Sequence, residues 1–262
     1  MTYETLEFDI TDGLATIMLN RPDAANALNR QMAYELFDVA VRCGADHSLR
    51  AVLWSAHGKM FCGGGDLEEM KLNTDELERH LLEMATILHQ GMIRLANLDA
   101  PVVIAVNGAA GGGGFSMALS GDYVIASEKA KFVSGYTASG LTPDGTSTHF
   151  LAKHVGLLRA KELFLTNRTL SAQEAMDWGI VNRVVAHDDL MSEARAMADR
   201  FAAGPTKAFG GTKRLLQTTY SDPMESQVEK ETQGISGIMN TRDAPHGIAS
   251  FLAKERPKFE GR

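Results

Sequence analysis

Two glycine-rich turns contain the residues of this chain best suited to bind negative charge. Residues 111–114 are four glycines that follow the apolar stretch 102–106, and residues 63–65 are three glycines that follow the apolar stretch 51–55. Each cluster leads into a segment of helical character, and unpaired N–H groups at a helix start carry positive partial charge. Because glycine has no Cβ, a ligand can approach the main chain closely there. The two turns predict a pair of converging N–H donors, the design of an oxyanion hole.

Asp144 is a candidate for proton transfer, and its sequence context leaves two interpretations open. It follows Pro143 and precedes Gly-Thr-Ser-Thr at 145–148, where an aspartate is a natural N-cap for the next helix. A carboxylate at this place can equally act as a general acid or base. A helix N-terminus would lower its pKa, whereas an apolar pocket would raise it.

Ser116 is the candidate nucleophile of a competing hypothesis, a serine hydrolase. Residues 114–118 form a degenerate G-x-S-x-G motif after a predicted strand. However, four residues and the glycines separate the strand end from Ser116, whereas a nucleophile elbow turns sharply. The spacing favours a small polar residue that packs in a helix or lines a pocket.

Motifs for metal and nucleotide chemistry are missing from the sequence. The eight histidines show no metal-ligand spacing, and there is no G-x-x-x-x-G-K-[ST] segment. The glycines at 112–114 lack the third glycine of a dinucleotide fingerprint. We therefore expect no metal site.

The elements that must position these residues alternate between strands and helices. The sequence pattern predicts a hairpin of residues 6–10 and 14–19, and it predicts that Asn29 is the N-cap of an amphipathic helix. Residues 66–98 are mostly helical in pattern, and the chain is almost entirely helical from about residue 190. Further strands are predicted at 51–55, 102–106, 123–126, 132–133 and 180–185. This order predicts an α/β fold with a C-terminal helical module.

Composition narrows the class of protein and its partners. The chain has 262 residues, 44% of them hydrophobic and 23% charged, which is ordinary for a globular protein. A net charge of −7 without a basic run argues against nucleic-acid binding. The apolar stretches fall short of a membrane span, the N-terminus shows no signal-peptide core, and two distant cysteines imply no disulfide framework. A cytoplasmic location without membrane contact is expected.

Six segments occur in an order typical of one enzyme superfamily. They are N-R-P-D-A-A-N-A-L-N at 20–29, F-C-G-G-G-D-L at 61–67, P-V-V-I-A-V-N-G at 101–108, G-L-T-P-D-G at 140–145, L-T-N-R at 165–168 and F-L-A-K-E-R-P-K-F at 251–259. With these segments the chain resembles the crotonase superfamily, the enoyl-CoA hydratases and isomerases, over nearly its whole length.

The resemblance implies a fold and an assembly. The fold is a crotonase-like (ββα) superhelix of repeated strand–strand–helix units, followed by an α-helical trimerisation module. We accordingly expect an α/β core at residues 1–195 and a C-terminal helical module at residues 196–262. The resemblance further implies a homotrimer or a dimer of trimers.

The resemblance also implies a substrate and the residues that bind it. The substrate is a CoA thioester, and no cofactor is permanently bound. Gly65 and Gly113 would give the two main-chain N–H groups that bind the thioester carbonyl. Such donors stabilise the enolate formed by α-proton removal more than they stabilise the neutral thioester. The residues implied to contact the substrate or its CoA moiety are Ala24, Ala25, Gly65, Asp66, Leu67, Glu68, Gly113 and Lys254, the last together with Phe259 at a neighbouring subunit's site.

The chain departs from the family's hydratases at two positions. Those enzymes deliver water with two glutamates, which align here with Ser116 and Tyr136, and neither residue is a carboxylate. Asp144 instead matches the single aspartate with which some isomerases of the family move a proton between carbons. One carboxylate suffices for a double-bond shift, because the same group removes and returns the proton. We therefore expect isomerisation of an enoyl-CoA by a catalytic set of Asp144, Gly65, Gly113, Ser116 and Tyr136.

Other functions remain open within the same resemblance. One is an enoyl-CoA hydratase with an atypical site. Another is a hydrolytic aryl-CoA dehalogenase, in which Asp144 would attack the ring, His89 would activate water, and Tyr136 would stand where a tryptophan is usual. The last is a non-catalytic protein that keeps the CoA pocket.

Overall fold

The computed structural model describes residues 2–72 and 74–262. Two predicted positions lie outside the described residues: Met1, at the start of the expected core, and Asn73, within the predicted helical stretch 66–98. The strands are β1 (Leu6–Thr11), β2 (Leu14–Leu19), β3 (Ala51–Ala56), β4 (Met60–Cys62), β5 (Val102–Val106), β6 (Ala109–Gly111), β7 (Tyr123–Ser127), β8 (Lys131–Val133), β9 (Leu170–Ser171) and β10 (Arg183–Val185). The helices are α1 (Arg30–Ala45), α2 (Leu67–Leu72), α3 (Leu77–Ala96), α4 (Gly113–Leu119), α5 (Ser147–Thr166), α6 (Ala172–Asp177), α7 (Leu190–Ala202), α8 (Thr206–Thr218), α9 (Met224–Gly237) and α10 (Asp243–Ala253).

Six strands form the larger sheet, in the order β1-β2-β3-β5-β7-β10. Strands β1 and β2 form the predicted antiparallel hairpin, and all other pairings in this sheet are parallel. Every residue of β3 and β5 is buried, as expected for parallel strands covered on both faces. Trp54 and Ile104 face the main core, whereas Leu53 and Val103 face a second core that helix α7 completes.

Four short strands form the second sheet, in the order β4-β6-β8-β9. The chain contains three consecutive units, β3-β4-α2-α3, β5-β6-α4 and β7-β8-α5. In each unit the first strand joins the larger sheet, the second strand joins the smaller sheet, and helix follows. The chain therefore repeats a strand–strand–helix unit, as predicted. Because β6 lies beside β4, the repeat brings the second glycine turn next to the first.

Helix α1 supports the region that precedes the first glycine turn. As predicted, the Asn29 side chain caps the helix by accepting a hydrogen bond from the Met32 N–H at 2.9 Å. The apolar face of α1 packs against α3, and Gly91 lets the two backbones approach: a methyl group there would lie 3.1 Å from the Phe37 Cα. This close packing fixes α3, which carries His89, against the core.

One predicted strand needs correction in detail. The strand predicted at 180–185 is limited to Arg183–Val185, because Ile180 and Val181 close the turn after α6 through hydrogen bonds to Ala175. Helix α5 consists of two helical stretches that meet at a kink at Gly156, where φ is 77° and ψ is 162°. Only glycine adopts that backbone conformation readily.

The C-terminal helices α8 to α10 expose much apolar surface. Val228, Ile235 and Phe251 are 51, 70 and 82% exposed, and no residue of α9 is buried. The domain division at residue 195 and the expected trimer stay predictions. Among the described residues, no helix combines the length and the apolar character needed to cross a bilayer.

Candidate active site

The first glycine turn directs the N–H of Gly65 away from its neighbouring segment. Leu28 and Gly65 form an isolated parallel bridge, in which the Leu28 N–H donates to the Gly64 carbonyl at 2.7 Å and the Asp66 N–H donates to the Leu28 carbonyl at 2.9 Å. The two bonds join Leu28 to the neighbours of Gly65, so Gly65 uses neither its own N–H nor its own C=O in this bridge. The Gly65 N–H therefore points to the opposite side, away from Leu28.

The second glycine turn places Gly113 at the first position of helix α4. Gly112, at φ 49° and ψ −121°, turns the chain from β6 into the helix with a conformation that side chains disfavour. The N–H of a first helical residue has no partner within its own helix. All seven residues of α4 are buried, so this donor faces a dry environment.

The two turns touch each other. A methyl group on Gly64 would lie 3.1 Å from the Gly111 carbonyl oxygen, and one on Gly112 would lie 3.5 Å from the Gly64 Cα. Leu28, the bridge partner of Gly65, also packs against Gly113. Within residues 2–72 and 74–262, no carbonyl or side chain accepts a hydrogen bond from the Gly65 or Gly113 amide. The two turns that carry these unused N–H donors therefore lie in contact.

Asp144 lies at the centre of a hydrogen-bonded group of side chains. The Tyr136 hydroxyl donates to Asp144 Oδ1 at 2.6 Å, and His89 Nε2, from helix α3, lies 3.2 Å from Oδ2. The Asp144 and His89 side chains are 40 and 32% exposed, so both remain accessible. Burial raises the pKa of Asp144, but the contacts with His89 and Tyr136 outweigh it, and the pKa lies below its ordinary value.

Ser116 connects this group to the glycine turn. Its Oγ donates to the Asp144 backbone carbonyl at 3.0 Å and lies 2.8 Å from the Tyr136 hydroxyl. Ser116 stands three residues after Gly113 in α4, so the Ser116 side chain and the Gly113 amide are about one helical turn apart. Ser116 is fully buried, and this arrangement matches a packed polar residue rather than the serine-hydrolase hypothesis.

Burial also keeps Tyr136 in its neutral form. Desolvation and the negative charge of Asp144 raise the pKa of Tyr136 far above its ordinary value. The hydroxyl therefore remains a hydrogen-bond donor to the carboxylate at any physiological pH.

The interpretation of Asp144 as a helix cap is wrong. Gly145 and Thr146 have φ values of 60° and 69°, and helix α5 begins only at Ser147. The two left-handed residues turn the carboxylate away from the helix, and the Ser147 hydroxyl instead donates to the Asp144 backbone carbonyl at 2.7 Å. The side chain of Asp144 is thus left to Tyr136 and His89.

Comparison with known proteins identifies the family. A family model for enoyl-CoA hydratase/isomerase matches residues 9–262, nearly the whole chain. The chain belongs to the enoyl-CoA hydratase/isomerase family. A relative in this family, 4-chlorobenzoyl coenzyme A dehalogenase-2 of Arthrobacter sp., is 35% identical over 246 residues, which are 94% of this chain and 89% of the relative. The 1,2-epoxyphenylacetyl-CoA isomerase of Escherichia coli K12 is 33% identical over 256 residues, 97% of each chain.

Solved structures of the family confirm the fold predicted from sequence. The crystal structure of an enoyl-CoA hydratase from Polaromonas sp. JS666 superimposes with a TM-score of 0.92 at 30% identity, and covers 97% of this chain and 99% of that one. The crotonase-like fold is therefore shown, and the protein is an enzyme of the enoyl-CoA hydratase/isomerase family.

Of the residues that the family resemblance assigns to CoA, those at 24–25 and 65–68 lie at the first glycine turn. Ala25, in a left-handed conformation, accepts a hydrogen bond from the Gly63 N–H at 2.9 Å, which links the segment of Ala24 to the first turn. Leu67 is 62% exposed. Glu68 and Lys254 are exposed as well, the latter at the C-terminal end of α10. Their roles stay predictions of the sequence.

Two residues of this region were not singled out from sequence. Arg21 binds the Asp66 carboxylate at 2.9 Å and also donates to the Ala27 carbonyl. It therefore ties the Ala27 backbone to the first glycine turn at Asp66. Gly145 donates its N–H to His89 Nε2 at 3.0 Å. The N-R-P segment gave a signal for Arg21, whereas no sequence signal indicates a backbone donor to a histidine 56 positions away. No cluster of three or more His, Cys, Asp or Glu in the described part of the chain is arranged to bind a metal.

Proposed function

We propose that the protein shifts a carbon–carbon double bond in an enoyl-CoA thioester, with Asp144 as both acid and base. The observation that carries this proposal is the position of Asp144: one accessible carboxylate, bound by Tyr136 and beside His89, on a residue whose backbone accepts a hydrogen bond from Ser116 of helix α4. Ser116 and Tyr136 occupy the places at which the resemblance puts the two glutamates of a hydratase. A site with one carboxylate suits proton removal and return better than delivery of water.

The two glycine amides would stabilise the intermediate. When Asp144 removes a proton, the C–H electron pair delocalises and places negative charge on the thioester oxygen. The Gly65 and Gly113 N–H groups bind that oxygen more strongly in its charged form than in the neutral thioester, and this difference lowers the barrier. The same carboxyl group then returns the proton to a carbon two positions along the chain, which completes the shift.

The CoA moiety would lie along the first glycine turn. Ala24, Ala25 and the segment 65–68 lie beside the Gly65 amide, and Arg21 neutralises Asp66 there. Lys254 is exposed and free to approach a phosphate, whereas the Phe259 ring contacts His246 of its own chain, with ring centroids 6.5 Å apart. A role of Phe259 at a neighbouring site stays a prediction.

A panel of enoyl-CoA thioesters incubated in D2O tests the reaction. We expect product with a displaced double bond and deuterium at the α or γ carbon. Asp144→Asn should abolish both isomerisation and deuterium incorporation while CoA-thioester binding, measured by calorimetry, survives. Asp38→Asn is a matched control, because Asp38 also accepts a hydrogen bond from a tyrosine but lies outside the site. Deuterium incorporation by Asp144→Asn would remove Asp144 from the mechanism, and a hydrated product would indicate the atypical hydratase.

A second candidate function is hydrolytic dehalogenation of an aryl-CoA. The proximity of His89 Nε2 to Asp144 Oδ2, at 3.2 Å, favours it, as does the 35% identity to a 4-chlorobenzoyl-CoA dehalogenase. Asp144 would attack the ring carbon and expel halide, and a water deprotonated by His89 would hydrolyse the aryl ester. Halobenzoyl-CoA should then release halide, and a rapid acid quench should trap an ester on Asp144. An unchanged protein mass and no halide would exclude this function.

The C-terminal helices would form the contacts of a homotrimer or a dimer of trimers. The exposed side chains of Val228, Ile235 and Phe251 support this proposal, because exposed apolar area of this kind marks protein contacts. Sedimentation equilibrium should show a species larger than one chain. A monomer that persists at all concentrations would contradict it.

A further inference from the structure

We propose that His89 Nε2 is a second site that takes up the substrate-derived proton during isomerisation. The proposal rests on the proposed isomerase function and concerns what happens after Asp144 has removed the proton. His89 would then be a catalytic partner of Asp144, in direct contact with the travelling proton.

The argument begins with the two neighbours of His89 Nε2. The Gly145 N–H donates to this nitrogen at 3.0 Å, and Asp144 Oδ2 lies 3.2 Å from it. A ring nitrogen carries either one lone pair or one hydrogen. Because the backbone fixes the Gly145 hydrogen on the side of the ring, Nε2 must offer its lone pair in this bond. The neutral ring therefore carries its hydrogen on Nδ1.

This tautomer leaves a place for one proton between the two side chains. Without that proton, Asp144 Oδ2 and His89 Nε2 face each other with lone pairs only. Asp144 Oδ1 already accepts the Tyr136 hydrogen at 2.6 Å, so a proton that arrives on Asp144 is better placed on Oδ2. An Oδ2–H group there points at Nε2, and the unfavourable contact becomes a hydrogen bond.

Transfer then follows in two balanced steps. The substrate C–H bond breaks, its electron pair enters the dienolate, and the proton forms an O–H bond on Asp144. That O–H bond next breaks as an N–H bond forms on Nε2, which gives an imidazolium beside a carboxylate, while Gly145 loses its acceptor. The reverse transfer regenerates the acid that protonates the new carbon. Asp144 and His89 are 40 and 32% exposed, so a proton on His89 has a second route of exchange with water in addition to the route from Asp144 itself.

Isotope retention is the first test. An enoyl-CoA with deuterium at the carbon that loses its proton is converted in ordinary water, and product deuterium is measured by mass spectrometry. We expect wild type to lose most of the label and His89→Gln to retain several-fold more in each turnover. Glutamine can still accept the Gly145 N–H through its amide oxygen, but it takes up no proton. His57→Gln, which alters a histidine–glutamate pair outside the site, should match wild type.

Equal retention in wild type and His89→Gln would overturn the proposal. A second test does not depend on activity: imidazole nitrogen-15 shifts of labelled protein at neutral pH, assigned through His89→Gln. A neutral ring with hydrogen on Nδ1 supports the proposal, and either an Nε2–H tautomer or a resting imidazolium overturns it. If no enoyl-CoA is isomerised, the proposed function itself has failed, whereas the tautomer is still measured.

Discussion

Replacing Gly113 by proline removes one hydrogen atom from the proposed oxyanion hole. Gly113 is the first residue of α4, the helical position that tolerates proline best, because its N–H has no partner within the helix. Gly112 precedes it at φ 49° and ψ −121°, which mirrors the extended geometry that a residue before proline adopts. The substitution therefore deletes the donor while the helix start is kept.

The expected magnitude follows from the loss of one of two donors. Removal of a single oxyanion-hole hydrogen bond typically costs about 3 kcal/mol of transition-state stabilisation, or about 10²–10³ in kcat. Proline also introduces a Cβ, which would lie 2.5 Å from Leu28 Cδ1 and must displace that methyl group. Gly113→Ala introduces the same Cβ and keeps the N–H, so the ratio of the two variants reports the loss of the N–H together with the ring Cδ that replaces its hydrogen.

The assay compares kcat for isomerisation in Gly113→Pro and Gly113→Ala, with urea unfolding to confirm that both are folded. We expect the alanine variant to stay within about tenfold of wild type and the proline variant to fall about 10²–10³ below the alanine variant. If both folded variants turn over at the same rate, the Gly113 amide does not bind the developing oxyanion. The interpretation of the two glycine turns would then be refuted.

Two further substitutions test the carboxylate and the packing behind it. Tyr136→Phe removes a donor that stabilises the charged form of Asp144, so the pKa of Asp144 should rise and the acid limb of the pH–rate profile should move to higher pH by about one unit. Tyr34→Phe, which loses a tyrosine–carboxylate bond elsewhere, should leave the profile unchanged. Gly91→Ala places a methyl group 3.1 Å from the α1 backbone and should lower stability by about 1–3 kcal/mol in urea unfolding, whereas Gly237→Ala meets nothing within 4 Å and should not.

Several elements were predictable because their signals are local. The hairpin of β1 and β2 has alternating residues around Asp12-Gly13, both at positive φ, and Asn29 caps α1 with its own side chain. The buried strands β3 and β5 are continuous apolar runs, the pattern of parallel strands covered on both faces. In each case neighbouring residues determine the structure.

Strands β4, β6 and β9 were not predicted, because what makes them strands is their partner. Ala109–Gly111 consists of residues with low strand propensity, yet β6 pairs with β4 on one side and β8 on the other. Each of these strands has two or three residues, too few for a periodic pattern. Long-range pairing therefore overrides local preference in the second sheet.

The sequence predicted the two glycine turns of the candidate site but left two interpretations of Asp144 open. Proline before aspartate and Gly-Thr-Ser after it is a typical capping context, and only the consecutive positive φ values of Gly145 and Thr146 rule the cap out. The same turn aims the Gly145 N–H at His89, a contact between segments 56 residues apart. Neither conformation has a sequence signal, because threonine rarely adopts a left-handed backbone.

In the proposed site, the Asp144 carboxylate and the two glycine amides depend on each other energetically. Tyr136, together with His89 when its Nε2 carries a hydrogen, lowers the pKa of Asp144, which makes it a weaker base than a carboxylate in an apolar pocket would be. A weak base can remove a carbon-bound proton at a useful rate only if the resulting enolate is strongly stabilised. The Gly65 and Gly113 amides must therefore supply more of the driving force here than beside a stronger base. Since they act on the enolate before the proton is returned, loss of the Gly113 amide should slow deuterium exchange into substrate as much as it slows turnover.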